Sequence, residues 1–166
     1  SISTGELSAA KSLVDTYTVI LKTRTTLNAV IEKAFFPSDD KSVNRIILTV
    51  AEVLGEENVE WEDILPITSD APFEYEADRE GDVARLRKNI GVQVYGTAEE
   101  CMEAMETLYG IDKSYTDRQK RMIAGIRYTM VMRDFSVSNR YTFAEDIPMA
   151  AVVRIKELSY DLDGVD

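Results

Sequence analysis

The chain has no histidine and a single cysteine, Cys101, among its 166 residues. Without histidine it cannot assemble a Ser-His-Asp triad, a Cys-His pair or a histidine metal cage. The commonest general base near neutral pH is missing too, so any catalysis would rest on carboxylates, lysine, tyrosine or a serine activated by lysine. One cysteine permits neither an internal disulfide nor a cysteine-based zinc site, which fits a reducing compartment or an envelope protein that does without bridges. Basic residues are outnumbered, 19 against 30 acidic, and the net charge of -11 repels a phosphate backbone. Nucleic acid is not an expected partner. A charged-then-apolar leader and an apolar run of about 18 residues are both lacking, so a soluble chain is expected, with membrane attachment only through an anchor absent from this chain.

What is present suffices for a core: 45% of the residues are apolar. They recur first at Leu7, Ala10, Leu13, Val14, Tyr17, Ile20, Leu21, Leu27, Val30 and Ile31, with the three-four spacing of a helical stripe. Ser3 and Glu6 stand at capping-box spacing ahead of it. The pattern predicts one long amphipathic helix over residues 6–33. Its five threonines, Thr16, Thr18, Thr23, Thr25 and Thr26, lower its intrinsic propensity, so it needs a partner surface. Phe35-Phe36-Pro37 ends it.

A second helix is predicted after Ser38, Asp39 and Asp40, with Val43, Ile46, Ile47, Val50, Val53 and Leu54 on one face and a stop at Gly55. Residues 56–82 are acidic and irregular, anchored by Trp61, Pro66, Pro72 and Phe73, with an extended piece near 73–76. Helices return over 82–89, over 97–109 behind a Thr97/Glu100 capping box, and after the matching start signal of Thr116 and Gln119. Residues 135–145 read as extended, and Pro148 opens a last helix through Met149, Val152, Ile155 and Leu158. The fold class is therefore α+β and helix-dominated, a long N-terminal amphipathic helix followed by a helical domain with a few short strands.

Serine activated by lysine survives the loss of histidine, so the S-x-x-K, S-x-N and K-T-G set is the first chemistry to test. Ser8 and Lys11 match the first, Ser42 and Asn44 the second, and Lys22-Thr23-Arg24 approaches the third. Arg24 would crowd a strand edge where glycine admits substrate, Lys22 falls in the expected helix, and no sheet is available to assemble the three. Chance matches on helix surfaces are the better account. The acids around Gly164 and Gly81 lack calcium-loop spacing, and GVQVYG at residues 91–96 lacks a phosphate-loop pattern. No spacing singles out a carboxylate pair for an acid–base hydrolase. No catalytic, cofactor-binding or metal-ligating residues are assigned, and no cofactor is expected. One stretch stands out, in which Arg127, Arg133, Arg140, Glu145 and Asp146 are strewn among aromatics. A buried ion-pair network holding the extended segment to the preceding helix is the favoured account of these five; plain surface charge is the other.

At this stretch the chain resembles a known family. VNRIILTVAEVL, WEDILPIT with APFEYE, TAEECMEAMETLYGI, IAGIRYTMVMRDF, YTFAEDIP and VVRIKELSYDLDGVD, in that order, are similar to the N-terminal non-catalytic region of class B penicillin-binding proteins of Gram-positive bacteria. The resemblance covers residues 36–166 and implies a pedestal or dimerisation domain outside the membrane, between an anchor and a transpeptidase, with Ser8 and Ser42 off the family's catalytic positions. SISTGELSAAKSLVDTYTVILKTRTTLNAVIEKA, residues 1–34, resembles instead the extracytoplasmic start of polysaccharide chain-length determinants, the tyrosine-kinase modulators of capsule and exopolysaccharide export. The expectation is of two pieces joined near Phe35, by gene fusion or by engineering, the latter favoured by the missing anchors.

The resemblance to the larger piece implies a non-enzymatic scaffold of cell-wall synthesis at the extracytoplasmic face of a Gram-positive-type membrane, with a glycan polymerase as partner. The alternative follows from the smaller piece: an extracytoplasmic oligomerisation module of a chain-length determinant, self-associating through the apolar stripe of residues 6–33. Light scattering with and without residues 1–34 separates the two.

Overall fold

The computed structural model describes residues 19–23, 26–31, 37–136 and 138–163. Among these the protein is helix-dominated. Its elements are β1 (Val19–Thr23), β2 (Thr26–Ile31), α1 (Asp40–Glu56), α2 (Glu80–Ile90), α3 (Ala98–Leu108), α4 (Asp117–Met132), β3 (Tyr141–Ala144) and α5 (Met149–Asp163).

The described residues fall into two units. One comprises those up to Ser38, Thr49–Glu62 and those from Arg133 onward; the other comprises Asp39–Leu48 and Asp63–Met132. They are called here the sheet unit and the helical unit. The chain thus leaves and re-enters each of them, and the first part of α1 belongs to the helical unit while the rest belongs to the sheet unit. The junction expected near Phe35 lies outside the described residues.

In the sheet unit, β1 and β2 pair antiparallel with Val19 opposite Val30 and Thr23 opposite Thr26, and β2 pairs antiparallel with β3, giving the order β1-β2-β3. This corrects the long N-terminal helix. Residues 6–18, 24–25 and 32–33 of that expected helix lie outside the described residues, but the rest of it is extended. Valine, isoleucine and threonine supply three of the five residues of β1 and three of the six of β2, and such side chains pack better on a pleated surface than against a helical turn. The three-four spacing overlooked the competing possibility of a hairpin, and β3 supplies a third strand on which the hairpin can pair. Segment 26–31, expected to be part of a separate piece, thereby shares a sheet with Tyr141–Ala144. In this unit Val50, Val53, Leu54, Phe143, Ala151, Val152 and Ile155 are buried, and Trp61, Phe135, Tyr141 and Phe143 form a chain of ring contacts with centroids 6.0 to 6.4 Å apart.

The helical unit is built around α4, most of whose circumference is buried through Arg121, Ile123, Ala124, Gly125, Ile126, Tyr128 and Thr129. Leu65, Ile67, Leu86, Cys101, Met102, Met105 and Ile123 pack in one core with it. Two helices start as their sequence signals require. Thr97 Oγ1 accepts from the Glu100 amide while Glu100 Oε2 accepts from the Thr97 amide, and Thr116 and Gln119 repeat the exchange ahead of α4. Residues 63–76 are irregular apart from a short ribbon, in which Thr68 N donates to Glu74 O and Glu76 N to Pro66 O around an Ile67–Tyr75 bridge.

Candidate functional site

The irregular segment 63–76 carries carbonyls that no helix or ladder satisfies, and buried carbonyls need donors. Arg121 of α4 provides them. The residue is 5% exposed, and its guanidinium donates from Nε to the Ile67 and Thr68 carbonyls at 3.1 and 3.2 Å, and from Nη2 to those of Ile67 and Leu65 at 2.9 and 3.2 Å. Nη1 meets Asp63 Oδ2 at 2.8 Å. The approach is possible because the next helical turn is small: a Cβ on Gly125 would collide with Arg121 Nη1 and lie 2.7 Å from Asp63 Oδ2.

A second clasp in the helical unit uses Asn44 and Arg127. Asn44 Nδ2 donates to the carbonyls of Tyr109 and Gly110 at 2.9 and 3.2 Å, and its Oδ1 accepts from Arg127 Nη1 at 2.7 Å. Arg127 Nη2 reaches Asp40 Oδ1 at 2.8 Å, and the guanidinium lies 5.2 Å above the centroid of the Tyr109 ring. These bonds hold the start of α1 to the end of α3 and to α4.

A third cluster braces the loop that joins α2 to α3. Arg87 Nε donates to the Gly96 carbonyl at 3.0 Å and to the Tyr75 hydroxyl at 3.2 Å, Arg87 Nη1 donates to the Val94 carbonyl at 2.6 Å, and the Tyr75 hydroxyl donates to Gly96 O at 2.6 Å. The Cys101 sulfur lies 3.2 Å from the same hydroxyl. Burial pushes the Cys101 thiol up, against the opposing pull of the Tyr75 hydrogen bond and the Arg87 charge, so the buried thiol is protonated near neutral pH and is not a poised nucleophile. Burial, helped by the contact with Cys101, also pushes Tyr75 up to about 12. Both groups brace the loop as neutral hydrogen-bonding partners.

Of the five residues singled out in the sequence, Arg127 and Arg133 pair with carboxylates, and the two carboxylates differ. Arg127 takes Asp40, whereas Arg133, in the sheet unit, takes Glu62. The Arg133–Glu62 pair is about half exposed at both ends, and the hydrogen bond from Arg133 holds Glu62 below the usual carboxylate range. Arg140, Glu145 and Asp146 are exposed. Sequence reasoning missed Arg121 and its partner Asp63. The available signal was an arginine followed at three and four residues by Ala124 and Gly125, a small step beside a long cation on an otherwise apolar face.

The serine–lysine fragments do not assemble. Ser8 and Lys11 lie outside the described residues, and Asn44 is occupied by the clasp. Lys22 and Thr23 close a strand, so the objection that Lys22 sits in a helix falls away, and only Arg24 in the place of glycine still argues against that fragment. Among the described residues, no cluster of three acids or cysteines could hold a metal ion, and no helix is long and apolar enough to cross a membrane. Two hollows open in the helical unit. One, about 600 Å³, has a mixed polar and apolar lining and is flanked by the Lys120–Glu106 ion pair at 2.8 Å; the other, about 310 Å³, lies beside the braced loop. Comparison with protein-family models, with curated proteins and with solved structures finds no match to this chain.

Proposed function

We propose that the chain is a non-catalytic scaffold and interaction module of a peptidoglycan transpeptidase, of the pedestal type found in class B penicillin-binding proteins. It works at the extracytoplasmic face of a Gram-positive-type membrane, where it holds a transpeptidase away from the bilayer and offers surfaces to a glycan polymerase. The observation that carries this reading is the order of the segments similar to that family, from VNRIILTVAEVL to VVRIKELSYDLDGVD. What supports it further is where the polar clasps fall. Asn44 lies in the first of those segments, Asp63 in WEDILPIT, Tyr109 and Gly110 in TAEECMEAMETLYGI, and Gly125 and Arg127 in IAGIRYTMVMRDF. These segments thus contribute residues that hold the helical unit together, as suits a spacer.

Chain-length-determinant assembly through residues 6–33 is not carried forward, because the described part of that stretch is extended and offers no helical stripe. The test of the scaffold reading is retention of a detergent-solubilised glycan polymerase on the immobilised chain, with a fluorescent β-lactam as the chemical control. Retention above that on an unrelated protein of equal acidity, with no covalent labelling, is expected. Absence of retention, or a covalent β-lactam adduct on this chain, overturns the reading.

A further inference from the structure

We infer that the loop between α2 and α3 is a docking site for an acidic segment of a partner protein that carries one large apolar side chain. The loop presents two adjacent apolar residues to solvent, Val94 at 82% and Tyr95 at 79% exposure. Isolated exposed apolar residues are ordinary on any surface. These two differ in being held there by a built frame. Arg87 grips the carbonyls of Val94 and Gly96, Tyr75 grips that of Gly96, Val92 N donates to Arg87 O at 2.9 Å, and Gly96 N closes on Gln93 O at 2.8 Å. Gly96 has no room for a side chain, since a Cβ there would collide with Val92. A loop already fixed in one shape loses little further freedom on binding, and tyrosine is among the residues that contribute most at protein interfaces.

The surroundings specify the occupant. Ala84, Arg87, Lys88, Val92 and Val94 line the hollow of about 310 Å³, at the small end of the range for ligand pockets and roomy enough for one large apolar side chain. In a chain of net charge -11, the two charged residues that line this hollow are both basic, Arg87 and Lys88 in the last turn of α2. Arg87 is bound to loop carbonyls, whereas Lys88 is exposed and has no ion-pair partner among the described residues. The two acids that follow the loop are turned onto backbone amides, Glu99 to Phe73 N and Glu100 to Thr97 N. An apolar side chain in the hollow, flanked by carboxylates over Lys88, satisfies both features, and local charge of this sign raises encounter rates with acidic partners.

The test uses the whole chain, fluorescently labelled, on an array of decapeptides with Phe, Leu, Trp or Ser at the centre and Asp and Glu, Ser, or Lys on both flanks. Retention on acid-flanked peptides with an apolar centre is expected. Lys88→Glu should weaken it at least about tenfold, and Val94→Ser with Tyr95→Ser about fivefold. All three positions are exposed, so unchanged far-UV circular dichroism is expected of these variants. Retention indifferent to flanking charge, a preference for lysine flanks, no retention at all, or equal retention by the Lys88→Glu chain overturns the inference. It does not rest on the cell-wall reading: β-lactam labelling leaves it untouched, and its failure leaves polymerase retention to be decided separately.

Discussion

Arg121 in the helical unit and Arg133 in the sheet unit each face one carboxylate, yet their surroundings have little else in common. The side chains of Arg121 and Asp63 are 6% and 31% exposed, against 53% and 48% for Arg133 and Glu62. Arg121 also holds three backbone carbonyls from the irregular segment after Asp63. In the sheet unit the neighbouring chain enters a ladder with β2, which satisfies backbone groups without help from a side chain. Long-range arginine clasps are needed where regular structure is missing, and where a ladder does the work the arginine is left at the surface.

The sharpest way to break this comparison is to remove the buried cation. Arg121→Ala strips Asp63 of its cation and leaves three backbone carbonyls without their donor, at about 1–3 kcal/mol for each that stays buried. Urea unfolding of the whole chain should show a large drop in midpoint; a loss below about 1 kcal/mol would mean that water replaces the guanidinium freely. Gly125→Ala attacks the same place from the opposite side by overpacking, with a loss of about 1–3 kcal/mol.

Asn44→Ala comes next. It removes the donor to Tyr109 O and Gly110 O and the acceptor for Arg127, at a cost of about 1–3 kcal/mol. Because Arg127→Ala removes part of the same clasp, the double variant should lose clearly less than the sum of the singles, and strict additivity would show that the two act independently.

The helical unit should also respond to alkali. Burial pushes Tyr109 up to about 12, as it does Tyr75, while the ordinary value is 10.0. Between those values the unfolded chain has lost phenolic protons that the folded chain keeps, so stability present below pH 10 falls as the pH rises through that window. Urea midpoints measured from about pH 9 to 11 should decline, and Tyr109→Phe should flatten the decline. A midpoint independent of pH over that span would contradict the burial of these phenols.

The legibility of this protein follows sequence distance. The capping boxes of α3 and α4 are exchanges between residues three apart, and the stripe of α1 repeats within one helix, so both were readable. The hairpin of β1 and β2 was not, because its residues also satisfy a three-four spacing and β3, on which β2 pairs, lies more than a hundred residues further on. The same limit applied to the candidate site. Arg127 and Arg133 could be picked out as arginines in an aromatic stretch, but Asn44, Asp40 and Glu62 are 83, 87 and 71 residues away from them. Arg121 carries a weaker signal, because charge near a helix start usually means solvent, and only its small neighbours Ala124 and Gly125 hint otherwise.

The smallest expected effect sharpens the comparison from the exposed side. Arg133→Ala removes an ion pair that water and salt already screen, so the loss of stability should be the smallest of these, near the resolution of a urea midpoint. Its signature is electrostatic. Glu62 is held below the usual carboxylate range by the hydrogen bond from Arg133. A depressed folded value means that the contribution is present above the unfolded carboxylate's range and is lost as the pH falls through the folded value. In the Arg133→Ala chain the Glu62 midpoint, followed by carboxyl chemical shift, should therefore rise toward an ordinary glutamate, and the difference in stability between the two chains should vanish in acid. A loss as large as that of Arg121→Ala, persisting at low pH, would show that Arg133 acts through packing rather than charge and would erase the contrast between the two units.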